Sequence, residues 1–150
     1  RQRQMCIRDS TYSFGYSSSG FTDMPMNHKV FLAQFDAIKK LASEGPCVMV
    51  GRCADYALAE YKDCFSVFVH ADIDWRINRL SQKHNKTAKE AKDMINKTDK
   101  SRSSYYNYYT NKKWGAAAGY SLSIDSSVLG IEGAAQAIIN TIHIFDDLKK

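Results

Sequence analysis

Three groups of charged residues have the types and spacing to handle phosphate. The first is Gly51-Arg52-Cys53-Ala54-Asp55. Gly51 allows a tight turn, and Arg52 presents a planar fork of donors that matches a phosphate. The same residues also read as a surface loop with Arg52 paired to Asp55. The second group is Arg76 and Arg79, three apart and therefore on one helical face. Two guanidiniums there can clamp phosphoryl oxygens, or simply solvate an amphipathic helix. The third is Asp99 with Arg102, again three apart. A carboxylate in that place can fix an arginine toward a substrate, or make an ordinary surface pair. Around it runs KTDKSRSSYYNYYTNKKWG, residues 97–115, dense in tyrosine and cations. Its tyrosines cannot all share one helical face, so some pack and some are exposed. They offer stacking surface for bases, or packing surface for a core.

These groups need elements to position them. Residues 28–44 have a helical stripe of Phe31, Phe35, Ile38, Leu41 and Ala42, closed by Gly45-Pro46. PCVMVG is a short apolar run, which predicts a strand buried on both faces, with Cys47 a small buried hydrophobe. FSVFVHA, 65–71, predicts a second such strand. A helix then begins behind Asp72 as N-cap, with Ile73, Ile77 and Leu80 inward. Thr87 and Glu90 have capping-box spacing, so another helix runs from 88 to about 109. Its stripe of Ala88, Ala91, Met94 and Ile95 gives way to Thr98 and Arg102. WGAAAGY is a loop, YSLSI (120–124) a third strand, and residues 130–145 a last helix with Ile131, Ala135, Ile138 and Ile142 inward. Strands alternating with helices predict an α/β fold with a parallel sheet covered on both faces. In such sheets ligands sit beyond the carboxyl ends of the strands, which is where Arg52 and the Arg76 helix fall.

Composition sets wider bounds. The chain has 150 residues, 44% hydrophobic, with a net charge of +5. That fits one packed domain with anionic partners. No apolar run reaches membrane-span length, and no secretory signal is recognisable. The four cysteines, Cys6, Cys47, Cys53 and Cys64, form no C-x-x-C pair, and no His pair has metal-ligand spacing. Reduced thiols and a cytoplasmic location are expected. Residues 1–26 read as tail and loop, and 1–10 look like translated sequencing adapter.

In order and wording, four stretches resemble the cytidylate kinase-like family of P-loop nucleoside monophosphate kinases. They are GPCVMVGRCADYAL, FVHADIDWRINRL, INKTDKSRSSYYNYYTNKKWG and YSLSIDSSVLGIEGAAQAI, within residues 45–138. The resemblance implies a three-layer parallel sheet of P-loop NTPase type over 27–145, with a lid at about 84–115. It implies ATP with Mg2+ as donor and CMP or dCMP as acceptor, with no nucleic acid or membrane partner. Arg52 would meet the acceptor's phosphate, with Gly51 and Asp55 beside it. Arg76 and Arg79 would open the lid, and Asp99 and Arg102 would supply its Asp-x-x-Arg, all four catalytic. Ser126 would lie near the adenine ring. Two departures stand out. Cys53 and Ala54 separate Asp55 from Gly-Arg, where the family has the Asp directly. Nothing matches the strand and Gly-x-x-x-x-Gly-Lys-Ser/Thr loop with which the family begins. The expectation is a fold lacking its first strand and phosphate loop, and a chain inactive alone. The alternatives are a tyrosine-rich nucleic-acid binder and a pseudokinase interaction module.

Overall fold

The computed structural model describes residues 25–149. The stretch SFGYSSSG and the residues read as adapter lie outside the described residues. The fold is mixed α/β, mostly helical, with a two-stranded parallel sheet. It divides into two compact units, Arg1–Cys64 and Phe65–Lys150.

In the first unit, α1 spans Met26–Glu44 and α2 spans Ala54–Ala57. Ile38, Ala57 and Leu58 form the core here, with Phe35, Ala42, Met49 and Cys64 packed against it. Phe35 meets the ring of Tyr56 edge-on at 6.2 Å. Leu41, expected inward, is 42% exposed because it sits at the margin of the stripe that Phe31 and Ile38 define.

The apolar run 46–50 is not a strand. Only Val48 makes a bridge, and Cys47, expected to be buried, is exposed. Val48 and Val50 are 48% and 69% exposed. A run of five apolar residues has no period, so its burial depends on neighbouring strands, and none of the described strands lies in this unit.

In the second unit, β1 (Val67–His70) and β2 (Leu122–Asp125) pair in parallel, with Val67 opposite Leu122 and His70 opposite Asp125. Both fall where the sequence predicts strands. β1 is not buried on both faces, since Val69 is 52% exposed. Among the described residues, each strand of this sheet has one unpaired edge.

α3 (Ile73–His84) starts on Asp72, whose carboxylate accepts from the Asp74 and Trp75 amides at 2.8 and 3.2 Å. α4 (Ala88–Thr110) starts on the expected capping box. The Thr87 amide donates to Glu90 at 2.8 Å, and the Glu90 amide donates to the Thr87 hydroxyl at 3.3 Å. Those bonds hold the Glu90 carboxyl below its usual range. Each cap is worth about 1 kcal/mol. The loop joining α3 and α4, residues 85–87, is short, so the helices form an antiparallel hairpin. Ile77, Ala91 and Ile95 seal it, with Leu80 against them. Ala88, expected in this stripe, is exposed at the hairpin's end.

α5 (Ser126–Asp147) is broken at Gly130, which has φ 68° and ψ 175°. Only glycine takes that conformation easily. The break resets the helical phase. Ala134 is buried, whereas Ile131 and Ala135, expected inward, are exposed. α5 is long and apolar enough to cross a membrane by length and composition alone. Glu132, Gln136, Asn140 and His143 interrupt it. Phe145 at its far end packs on Phe65 at 5.0 Å.

Candidate functional site

The parallel strands β1 and β2 end side by side at His70 and Asp125. His70 Nδ1 lies 3.8 Å from Asp125 Oδ2. Asp125 also caps α5, accepting from the Ser127 amide at 2.8 Å and from the Ser127 hydroxyl. These Ser127 bonds, then the nearby His70, hold the Asp125 carboxyl below its usual range. Ser126, the first residue of α5, is buried, and its hydroxyl donates to the His70 carbonyl at 3.0 Å.

Beyond these strand ends opens a cavity of about 500 Å³, within the usual size range of small-ligand sites. β1 contributes Phe68 and His70, α3 contributes Arg76 and Arg79, and α4 contributes Asp99 and Arg102. Trp75, Trp114 and Ser126 also face it. The stripe of α4 explains its position. Ala91 and Ile95 are buried, Tyr106 and Thr110 are buried again, and the turns between carry Thr98, Asp99 and Arg102. The helix is apolar where it packs and polar where the cavity opens.

Asp99 is the hub. Arg76 Nη2 donates to Oδ1 at 2.9 Å and lies 2.8 Å from Oδ2 as an ion pair. Arg102 Nη2 meets Oδ1 as well. Two guanidiniums from two helices are thereby gathered on one carboxylate. Arg102 lies over the Trp114 ring at 5.1 Å and Arg79 over the Trp75 ring at 5.5 Å. Trp114 in turn meets Phe68 edge-on at 5.4 Å. Gly115 allows this contact. It has φ 75°, and a Cβ there would approach the Phe68 ring to 3.1 Å.

The structure brings five expected residues to one cavity: Arg76, Arg79, Asp99, Arg102 and Ser126. Gly51, Arg52 and Asp55 belong to the first unit. Gly51, Arg52 and Cys53 all have left-handed φ, of 70°, 56° and 56°. Arg52 is exposed, and Asp55 is in the first turn of α2. Cys53 is 4% exposed, and burial, then the Asp55 charge, push its thiol up to about 11. Sequence reasoning missed Trp75, Lys83, His70, Trp114 and Phe68 as cavity residues. Trp75 and Lys83 were findable, because they continue the helical face of Arg76 and Arg79.

The four tyrosines of α4 divide as the helical period requires. Tyr106 is 6% exposed and stacks near Tyr120 at 6.4 Å, whereas Tyr108 is 74% exposed. Tyr105 and Tyr109 pack on one another at 4.7 Å.

The sequence profile of the cytidylate kinase-like family matches residues 2–128. The chain belongs to the cytidylate kinase-like family. Among solved structures, an uncharacterized protein from Eubacterium ventriosum ATCC 27560 is similar to it. That likeness has 30% sequence identity and a TM-score of 0.75, and covers 79% of this chain and 74% of that one. No curated protein matches.

Proposed function

We propose that the α3–α4 cavity binds the phosphates of a nucleoside triphosphate, ATP, for transfer of its terminal phosphoryl group to CMP or dCMP. One observation carries this reading. Three arginines and one carboxylate meet in a cavity at the carboxyl ends of parallel strands. Transferring phosphoryl groups carry charge on several oxygens, and guanidinium forks match them in number and plane. Arg76 and Arg102 supply two such forks, and Asp99 aims both at one point. Arg79 adds a third from the same face of α3. The α3–α4 hairpin serves as the lid that excludes water. By the family resemblance, Arg52 in the first unit is the residue that would take an acceptor's phosphate, with Gly51 and Asp55 in its loop, and Ser126 is the one that would lie by the donor's base.

The residues present fit the phosphate chain. Mg2+ would be held chiefly by the nucleotide's own phosphates and by water rather than by a dedicated set of protein ligands. The described residues contain no group of three His, Cys, Asp or Glu able to hold a metal, and Asp99 already carries two guanidiniums. No step is assigned to the metal. The two strands are read as part of a three-layer sheet of P-loop NTPase type, in a cytoplasmic protein. The sequence has no Gly-x-x-x-x-Gly-Lys-Ser/Thr loop. Weak nucleotide affinity and negligible turnover are therefore expected of this chain alone.

The test is ATP affinity in the wild type and in Arg76→Gln and Arg102→Gln. Each loss of a charged hydrogen bond should weaken ATP by roughly tenfold or more. Unchanged affinity in both variants rejects the reading.

A further inference from the structure

The Arg102 guanidinium has two neighbours of different kinds. Its Nη2 meets Asp99 Oδ1, and the Trp114 ring lies against its face at 5.1 Å. The two hold it differently. A carboxylate takes up N–H donors, whereas an aromatic ring attracts the cation through its face and leaves the in-plane donors open. Asp99 is shared with Arg76, which reaches it from α3. Arg102 is also 53% exposed, and an ion pair so open to water fixes a side chain only weakly. The plane of the Arg102 fork is therefore left to Trp114.

Trp114 lies four residues beyond the end of α4, yet the chain holds it firmly. Its amide donates to Asn107 Oδ1 at 2.7 Å, which folds the turn back onto the last part of α4. Its ring meets Phe68 of β1 edge-on at 5.4 Å, and Phe68 packs in turn on Tyr120 at 5.0 Å. The left-handed Gly115 carries the chain onward with no Cβ to press on the Phe68 ring.

We propose that Trp114 is a positioning residue. It sets the plane of the Arg102 guanidinium and so aims the free donors into the cavity, while Asn107 holds the turn that carries the ring. This role rests on the reading of the cavity as a phosphate site. It adds that the sheet, through Phe68 and Trp114, orients an arginine of α4.

The test is an NMR titration of the 15N-labelled chain with ATP, which also follows the Arg102 Nε–Hε signal. Wild type, Trp114→Leu, Trp114→Phe and Asn107→Ala are compared, and Trp114→Leu and Asn107→Ala are repeated with Arg102→Gln. The Arg102 Hε signal should be shifted upfield by the indole ring, lose that shift in Trp114→Leu and keep part of it in Trp114→Phe. ATP affinity should fall roughly three- to tenfold in Trp114→Leu, recover in Trp114→Phe and fall by less in Asn107→Ala. With Arg102→Gln in place, neither substitution should weaken ATP further, because no fork remains to be aimed. With Arg76→Gln instead, the loss caused by Trp114→Leu should persist. A loss as large with Arg102→Gln as without it means that Trp114 only supports the fold, and the positioning role is wrong while the phosphate cavity stands. Unchanged affinity in Trp114→Leu overturns the role in the same way. Asn107 is exposed, so if Trp114→Leu does not fold, Asn107→Ala decides by the same comparison. A wild type that binds no ATP overturns the phosphate reading and this role together.

Discussion

Replacing Asp99 tests how the cavity holds itself together without a ligand. The Arg76–Asp99 pair is the more sheltered of its two contacts, with side chains 28% and 25% exposed. Charge-assisted bonds at that depth are worth about 1–2 kcal/mol. The Arg102–Asp99 pair spans one helical turn, and Arg102 is 53% exposed. Solvent screening reduces such a pair to a few tenths of a kcal/mol. Asp99→Asn should therefore destabilise this unit by about 1.5–2 kcal/mol. For a unit of this size, that is a fall in Tm on the order of 10 °C. Double-mutant cycles separate the two contacts. Asp99→Asn with Arg76→Gln should show a coupling of about 1 kcal/mol, and with Arg102→Gln less than about 0.5 kcal/mol. Urea unfolding followed by tryptophan fluorescence is the assay. Both tryptophans of the chain, Trp75 and Trp114, lie in this unit, so the signal reports it alone. A coupling to Arg102 equal to or larger than that to Arg76 would refute the assignment of Asp99 as a cross-helix tie.

Three further outcomes follow from other parts of the fold. Gly115→Ala forces a side chain onto a left-handed φ and into the Phe68 ring, so it should cost about 1–3 kcal/mol in urea unfolding. Asp125 has its carboxyl held low by Ser127, so the cap stabilises the fold above the ordinary carboxylate pKa of 3.8 and is lost as pH falls through the lower folded value. Asp125→Asn should flatten the stability profile from about that pKa of 3.8 downward through the lower folded value, measured by thermal melts across pH. At pH 8, Cys47 should react with iodoacetamide at least about tenfold faster than Cys53. Cys47 is exposed, while Cys53 is buried with its thiol raised to about 11. Peptide mapping of the alkylated chain measures both.

Local signals made the helices of the second unit legible. Asp72 and the Thr87–Glu90 box state where α3 and α4 begin, because each side chain satisfies amides that the first helical turn leaves open. The strands were legible as apolar runs, with ends trimmed by a few residues. The run 46–50 looked the same and is no strand, since an aperiodic run takes its burial from neighbours that the sequence does not identify. α5 was placed, but its inward face was not. Gly130 interrupts the helix and moves the buried position to Ala134. The arginines were found by spacing, and Asp99 was paired only with Arg102, its neighbour in sequence. Its bond to Arg76 crosses the hairpin over 23 residues and needs the register of two helices. Trp114 and Phe68 meet through a contact still more distant in sequence, which no local pattern encodes.

The measurement that bears most directly on the phosphate cavity is an NMR titration of the 15N-labelled chain with ATP. Both tryptophans line the cavity, so their two indole N–H signals report it without mutation. Expected is a saturable shift of both indole signals and of the Arg76, Asp99 and Arg102 amides, with Tyr108 unmoved on its exposed face. Indole signals that stay fixed while the Tyr105–Tyr109 amides move would place the nucleotide on the tyrosine surface and contradict a phosphate site between α3 and α4.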